Sequence, residues 1–348
     1  MKQSYIEILK TLNENEHKTH EPNDRILLVD GLNTFIRAFA VNPTTNEDGI
    51  HIGGMTGFLQ SVGYAIKNIK PTRVIVCFDG KGGSAKRRKL FPEYKANRKV
   101  RKRLTRLDSF NNQEDERVSM KNQISRLTQY LSTLPLTVLA PENIEADDAM
   151  AYISQQVYPE SQFYIMSTDK DFLQLVDERV QVWSPTKKKY YFKDTVHEDF
   201  EIPACNYLLY RTMKGDPSDN IPGIKGVGIK TLQKRLPILF DDKKITIDEF
   251  IEHVKQSDDD SKVVTEIKQS EDIIRLNFDL MQLADVDIPG NTKSYIMDVV
   301  REPINRLVKY KFQKLMLEDK TYTAIKNPDM WLKLCFSHLE AMAIKSYE

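Results

Sequence analysis

Three carboxylates fall within four positions of the segment IEADDAM (144–150), namely Glu145, Asp147 and Asp148. Ionised acids this close repel one another, and burying such charges without partners is costly. Two interpretations stay open: the acids occupy the first turn of a helix, where its dipole favours them, or they bind a divalent cation. Helical spacing places only Glu145 and Asp148 on one face, so a loop-to-helix junction has to turn Asp147 inward.

Further acids follow predicted strands, and they favour the metal interpretation. Apolar runs that end in Asp30, Asp79 and Asp169 are typical of buried parallel strands, and Asp171 comes two residues after the last of them. Ligands of open α/β sheets bind outside the carboxyl ends of the strands, so we expect these acids at one edge of the sheet. Oxygen ligands without His or Cys favour Mg²⁺, with Mn²⁺ as a substitute.

Two other interpretations of the acidic residues agree less well with the sequence. The segment DKDFLQLVDE (169–178) is not an EF-hand loop, because Leu173 stands at a ligand position and Gln174 where Gly is needed. A phosphatase with an aspartyl nucleophile would use a DxD after a strand, but it would leave the other acids without a role.

A basic segment runs from Lys81 to Arg106, with twelve Lys or Arg residues and one acid, giving 12 − 1 = +11. A solvated charged face remains possible, but the one-sided charge favours binding of a polyanion. We expect Tyr94 to stack on a base, and Lys95 and Arg98 to hold a phosphate. Residues 90–130 are predicted to be a long insertion that orders around substrate. The other predicted nucleic-acid contacts in this segment are Lys86, Arg87, Arg88, Arg101, Lys102 and Arg103.

A glycine-rich stretch at 213–236 resembles a helix-hairpin-helix turn and follows two more acids, Asp216 and Asp219. Its glycines permit backbone geometries that other residues resist, and the amides at the start of the next helix can bind phosphate. A plain tight turn between two helices is the alternative. The predicted contacts, which read the DNA backbone and not its sequence, are Gly226, Val227, Gly228, Ile229, Lys230, Thr231 and Lys234.

The length and composition of the whole chain limit the class of protein in which these motifs lie. It has 348 residues, 51 Lys or Arg against 50 Asp or Glu, and three well-separated cysteines, which favours a reducing compartment. We predict an α/β domain at 25–200, with a mostly parallel sheet flanked by helices, and a mainly helical region at 201–348. Residues 1–24 form an extension with a short amphipathic helix, and no signal peptide or membrane span is expected, so the predicted location is cytoplasmic.

Six segments, in this order and spacing, resemble the flap endonuclease/5′-nuclease superfamily. They read LLVDGLN, CFDG, PEYKANR, IEADD, STDKDFLQL and GDPSDNIPGIKGVG, and together they cover roughly residues 25–240. The likeness is greatest to bacteriophage 5′→3′ exonucleases of the RNase H type and to the 5′-nuclease domain of bacterial DNA polymerase I. Residues 1–24 show no such likeness, and 240–348 show it only loosely.

The resemblance implies a PIN-like core, a helical arch at about 90–130 and a helix-three-turn-helix at about 213–240 that holds duplex DNA. It implies two or more Mg²⁺ ions, with K⁺ at the helix-three-turn-helix, and Tyr94, Lys95 and Arg98 as the catalytic basic motif. The arch has a polar, acidic segment that departs from the family pattern. The implied first metal region is Asp30, Asp79, Glu145, Asp147 and Asp148, and the second is Asp169, Asp171, Asp216 and Asp219.

The resulting hypothesis is a metal-dependent 5′→3′ exonuclease and 5′-flap endonuclease that also removes RNA primers during DNA replication. Its expected substrates are DNA with 5′ flaps, nicks or free 5′ ends and RNA–DNA hybrids. It would act as a monomer, in the bacterial host if the chain is phage-encoded, and a sliding clamp or single-strand-binding protein is a further candidate partner. The alternatives are a non-enzymatic, structure-specific DNA-binding replication protein, in which the acids would not matter, and a smaller PIN-type ribonuclease.

Overall fold

The computed structural model describes residues 21–100, 104–105 and 110–348. The predicted amphipathic helix near the N-terminus therefore lies outside the described residues. The same holds for three of the predicted nucleic-acid contacts, Arg101, Lys102 and Arg103.

A six-stranded sheet forms the centre of the protein, with the strand order β3-β2-β1-β4-β5-β6. The first five strands are parallel, and β6 pairs antiparallel with β5. The five strands predicted from apolar runs are confirmed, whereas β6 was missed because its three residues, KYY, lack a buried apolar run. The strands are β1 (Arg25–Asp30), β2 (Arg73–Cys77), β3 (Thr137–Leu139), β4 (Gln162–Met166), β5 (Val180–Ser184) and β6 (Lys189–Tyr191).

Helices cover both faces of the sheet and make up most of the chain after β6. Those within the α/β part are α1 (Gly31–Val41), α2 (Gly53–Ile69), α3 (Ala85–Leu90), α4 (Gln113–Leu131), α5 (Ala146–Tyr152) and α6 (Lys193–Phe200). Those that follow are α7 (Tyr207–Lys214), α8 (Ile229–Arg235), α9 (Ile247–Gln256), α10 (Lys262–Gln269), α11 (Glu271–Met281), α12 (Gly290–Arg301), α13 (Lys309–Asp319) and α14 (Pro328–Lys345).

Two hydrophobic cores lie on the two faces of the sheet because successive strand residues point to opposite sides. Leu28 of β1 packs in one core with Val264 of α10 and Ile296 of α12. Val29 packs in the other with residues of α2, α13 and α14, including Leu339. The division of domains at residue 200 stays a prediction, and both cores extend across it.

Helix α4 changes the interpretation of the insertion predicted at 90–130. It begins at Gln113, seven residues before the predicted helix, and its end buries Leu127, Tyr130 and Leu131 in the core. Its acidic first turn is favoured by the helix dipole, and Glu116 accepts a hydrogen bond from the Thr105 amide at 2.7 Å. The second half of the predicted insertion is therefore a core helix.

The described helices also bear on the membrane expectation. None of them combines the length and the apolar character needed to cross a bilayer.

Candidate active site

A cavity of about 690 Å³ opens at the carboxyl ends of the strands. Strand β1 lies between β2 and β4, so residues that follow these three strands meet at one edge. Asp30 ends β1, Asp79 follows β2 and Asp169 follows β4. Six of the nine predicted metal-binding acids line the cavity: Asp30, Asp79, Glu145, Asp147, Asp169 and Asp216.

Hydrogen bonds to neighbouring groups orient Asp30 and Asp79, two of the three acids at the strand ends. Asp30 accepts the Asn33 amide at 3.1 Å and the Ser167 hydroxyl at 2.9 Å. Asp79 accepts the amide of Ala146, the first residue of α5, at 2.8 Å. Asp79 thus joins the end of β2 to the start of the helix that carries the acidic trio.

The other three predicted acids lie behind the cavity lining, each paired with a basic side chain. Asp148 pairs with Arg87 at 2.6 Å and Asp171 with Arg211 at 2.9 Å. Asp219 pairs with Arg98, and its other oxygen lies 3.9 Å from Lys95 Nζ. These positions favour a supporting role for Asp148, Asp171 and Asp219 over direct contact with a metal.

The prediction that Arg87 contacts nucleic acid is wrong, because the structure buries its side chain. Its side chain donates to Glu145 and Asp148 and, through Nε, to the Leu280 carbonyl at 2.8 Å. Only 7% of the residue is exposed. Arg87 therefore compensates the charge of the acidic trio from behind and does not reach a ligand at the surface.

The prediction that Tyr94 stacks on a base is also wrong, because the residue is only 3% exposed and its ring is inaccessible. Its hydroxyl donates to Glu145 Oε2 at 3.0 Å, and Lys95 Nζ donates to Glu145 Oε1 at 2.6 Å. Both oxygens of Glu145 are thereby fixed. Lys95 lines the cavity together with Arg98, which places these two predicted catalytic cations at its wall.

Two motifs about 120 residues apart in sequence are interlocked beside the cavity. PEYKANR (92–98) and GDPSDN (215–220) exchange backbone and amide hydrogen bonds in addition to the ion pair of Arg98. This contact explains how Lys95 and Arg98 are held against the acids of the second motif. The bonds are Lys95 N–H to Asp219 O at 2.9 Å, Asn97 Nδ2 to Pro217 O at 2.7 Å and Asn220 Nδ2 to Glu93 O at 2.9 Å.

Arg211 is a component of the site that the sequence interpretation missed. It lies on α7, lines the cavity, and donates to Asp171 at 2.9 Å and to Asp216 at 2.6 Å. Although burial opposes its charge, these two carboxylates raise the pKa of its guanidinium. The one available signal was an arginine within the otherwise apolar run YLLYRTM, which is typical of a buried ion pair.

The cavity acids differ in how their charge is compensated. Burial, together with the nearby charges of Asp169 and Asp79, raises the pKa of Asp30 to about 7. Burial likewise raises the pKa of Asp147 and of Asp169. Burial also disfavours the charge of Glu145, but Arg87 and Lys95 outweigh it and lower its pKa. The cavity therefore holds negative charge that the protein compensates only in part.

The donor set fits a hard divalent cation. All six lining acids offer carboxylate oxygens, and a cation among them would offset the burial and mutual repulsion that raise the pKa of Asp30 and of Asp169. Within the described ranges, no three of these groups already lie in an arrangement that could hold one metal ion. Binding would therefore require small side-chain movements, which carboxylates that line an open cavity can make.

The glycine-rich turn lies between α7 and α8 and spans residues 215–228, within the predicted stretch at 213–236. Gly226 has a φ of 83°, a conformation that favours glycine. Gly228, the residue before α8, has an extended φ of −127°, so the predicted need for glycine geometry is wrong at this position. A side-chain carbon on Gly228 would meet no atom within 4 Å, so the space beside this residue is open.

The remaining predicted DNA contacts lie at or near the surface. Val227, Ile229 and Thr231 are half-buried, whereas Lys230 and Lys234 are exposed, Lys230 in an ion pair with Glu201. Lys86 is paired with Asp287 at 3.0 Å, and Arg88 is exposed. The structure thus leaves these basic groups accessible, and their role in DNA binding stays a prediction.

We expect the two glycines to respond differently to alanine. Gly226→Ala should lower the free energy of unfolding by about 1–2 kcal/mol, because alanine is strained at positive φ. Gly228→Ala should leave stability within about 0.5 kcal/mol of wild type but weaken binding of duplex DNA, because the methyl group would occupy the open space beside this residue. Urea unfolding and fluorescence anisotropy with a labelled duplex measure the two effects. Equal stability of the two variants would contradict the argument.

A family model and individual known proteins indicate the same family for this chain. Residues 25–201 match the family model described as the 5′-3′ exonuclease, N-terminal resolvase-like domain. The chain belongs to the 5′-3′ exonuclease family. It is 29% identical over 221 residues to a 5′-3′ exonuclease of Bacillus subtilis, which covers 61% of this chain and 69% of that protein. It is 31% identical over 217 residues to the thermostable DNA polymerase I of Thermus thermophilus, covering 62% of this chain but only 24% of the polymerase.

This nuclease shares its fold with flap endonucleases and related proteins of known structure. A complex of the bacteriophage T5 D15 flap endonuclease with DNA and metal ions superposes with a TM-score of 0.60 at 19% identity, covering 87% of this chain and all of that one. Human GEN1 in complex with Holliday junction DNA superposes with a TM-score of 0.53 at 14% identity, covering 93% and 75%. At this identity the likeness concerns the fold.

Proposed function

We propose that this nuclease uses divalent metal ions to hydrolyse DNA at 5′ flaps and free 5′ ends, and also removes RNA primers from DNA during replication. The observation that carries the proposal is the cavity at the strand ends, where acids whose charge is only partly compensated lie beside Lys95 and Arg98. The structures of the related T5 D15 flap endonuclease with metal ions and with DNA support it. A non-enzymatic DNA-binding protein would gain nothing from burying these charges.

The acids that line the cavity would hold the ions. Asp30, Asp79 and Asp147 are candidates for one ion, with Glu145 beside them, and Asp169 and Asp216 for another. When bound, Mg²⁺ or Mn²⁺ would activate water and neutralise charge on the phosphate. Both ions have the oxygen-ligand preference that these side chains meet.

The chain's own cations would orient the substrate. Lys95 and Arg98 are held at the cavity wall by Glu145 and Asp219, so their positive ends stand where a phosphodiester would enter. Three more cations line the cavity without an ion pair to any acid of the described residues: Arg37, Lys170 and Lys214. These groups are available for phosphate contacts along the strand.

The glycine-rich turn would hold the duplex beside the cavity. Its open surface at Gly228 permits a close approach of the phosphate backbone, and Lys230 and Lys234 add positive charge next to it. A K⁺ ion bound at this turn is part of the proposal. Cleavage would then be directed by the shape of the junction and not by base sequence.

A 5′-labelled flap duplex tests the function directly. We expect cleavage near the junction in Mg²⁺ or Mn²⁺ and none in EDTA, while Ca²⁺ should support binding with little cleavage. A blunt duplex of the same sequence, labelled on the same strand, distinguishes cleavage at the junction from hydrolysis at a free 5′ end, and an RNA–DNA hybrid tests primer removal. Tight binding of the flap duplex without cleavage in either metal would instead favour the non-enzymatic DNA-binding protein.

A further inference from the structure

A second pocket lies beside the active cavity, between α1, α2 and the turn that joins β5 to β6. Its volume is about 400 Å³, within the range of small-ligand sites. Arg37 lines both this pocket and the active cavity, so the two are adjacent. Two cations, Arg37 and Lys188, line the second pocket, and no acid is found among its lining residues in the described part of the chain.

Aromatic rings form one side of this pocket. Tyr64 of α2 is 54% exposed, and its ring stacks on Trp183 of β5 with the centroids 6.3 Å apart and the planes at 28°. Trp183 is itself 5% exposed and packs against Tyr190 at 4.5 Å, so its indole is held in place. A fixed aromatic pair with one accessible ring suits stacking of an unpaired base, and every base has a face for such stacking.

The polar groups of the pocket are incompletely satisfied. Trp183 Nε1 and Arg37 Nε are buried, and neither has a hydrogen-bond partner within the described ranges. Among the described residues, Arg37 donates a hydrogen bond only to the Thr186 hydroxyl, at 3.5 Å. Arg87 and Arg211, by contrast, are each held by two carboxylates. The guanidinium of Arg37 is therefore available to an anion at the boundary of the two cavities.

We propose that this pocket receives one unpaired base of the nucleic-acid substrate, which stacks on Tyr64 while Arg37 contacts the adjoining phosphate. The proposal rests on the proposed nuclease function and adds a feature of its substrate: an unpaired nucleotide close to the position of cleavage. The proximity follows from Arg37, which borders both cavities. The combination of aromatic faces, positive charge and absent acids favours a nucleotide over an apolar or cationic ligand.

Binding measurements in Ca²⁺ test the subsite without cleavage. We expect Tyr64→Ala to raise the Kd for a labelled flap duplex about five- to tenfold, the loss that one stacked base implies, and Tyr64→Phe to restore binding. Tyr310→Ala is the matched control, since Tyr310 is 75% exposed on α13 and lines neither cavity. An abasic site at one nucleotide near the junction should weaken wild-type binding by a similar factor and leave Tyr64→Ala unchanged.

Fluorescence provides a second measurement. The chain has two tryptophans, so Trp331→Phe leaves Trp183 as the single reporter. Flap DNA should quench its emission, and DNA with the abasic site should quench it less. Two results together would refute the subsite. The first is equal binding of flap DNA by Tyr64→Ala and Tyr310→Ala. The second is that no abasic site weakens binding by the wild type more than binding by Tyr64→Ala. If the wild-type chain cleaves flaps in that case, only the subsite fails; if it neither binds nor cleaves them, the proposed function fails as well.

Discussion

Asp169→Asn is expected to reduce flap cleavage in Mg²⁺ roughly 10³-fold while the fold stays intact. Asp169 lines the cavity, where burial and the nearby charges of Asp219 and Asp216 raise its pKa. Asparagine keeps an oxygen that can accept the Asp171 amide, which Asp169 accepts at 2.9 Å. The change therefore removes a charged metal ligand without removing the local hydrogen bond.

Stability should change in the opposite direction to activity. In EDTA, Asp169→Asn should raise the free energy of unfolding by a few tenths to about 1 kcal/mol, because it relieves repulsion among like charges. Added Mg²⁺ should stabilise the wild-type protein more than the variant, since binding to the folded state adds stability. Thermal unfolding with and without metal measures both effects.

A matched acid outside the cavity controls this experiment. Asp298 is an exposed residue of α12, and Asp298→Asn should leave cleavage and metal-dependent stabilisation unchanged. If Asp169→Asn cleaves flaps within tenfold of the wild-type rate, the acids of this cavity do not carry the reaction.

The sequence predicted the sheet and the place of its acids because both follow from simple periodic rules. Buried parallel strands are short apolar runs, and five of the six strands were identifiable in this way. The position of Asp30, Asp79 and Asp169 at one edge then follows from the parallel order of β1, β2 and β4. Strand β6 lacks an apolar run and gave no such signal.

The sequence did not predict which charged residues compensate one another. Arg87 and Arg88 are adjacent and chemically identical, but α3 turns the first into the acidic cluster and the second to solvent. The pairing of Arg211 with Asp171 joins residues 40 positions apart and depends on how α7 packs. Such contacts depend on tertiary packing, which no local pattern specifies.

Arg87→Met is expected to lower the free energy of unfolding by about 3–5 kcal/mol, the usual effect of breaking a buried ion pair from one side. Methionine fills a similar volume but leaves Glu145 and Asp148 without the guanidinium that now contacts both. It also leaves the Leu280 carbonyl without its donor at 2.8 Å. Since a domain of this kind has about 5–15 kcal/mol of stability, the variant should be marginally folded.

Arg88→Met is the matched control, because it makes the same substitution one residue away on the same short helix. Arg88 is exposed, so its replacement should change stability by less than about 0.5 kcal/mol. The double variant Arg87→Met/Asp148→Asn should recover part of the loss, because it removes one of the carboxylates left without a partner, and Asn can still accept the Glu145 amide. Urea unfolding of the wild type and the three variants measures these changes in stability separately. Equal midpoints for Arg87→Met and Arg88→Met would show that Arg87 is a surface cation, as the basic segment alone suggested, and would return it to the set of DNA contacts.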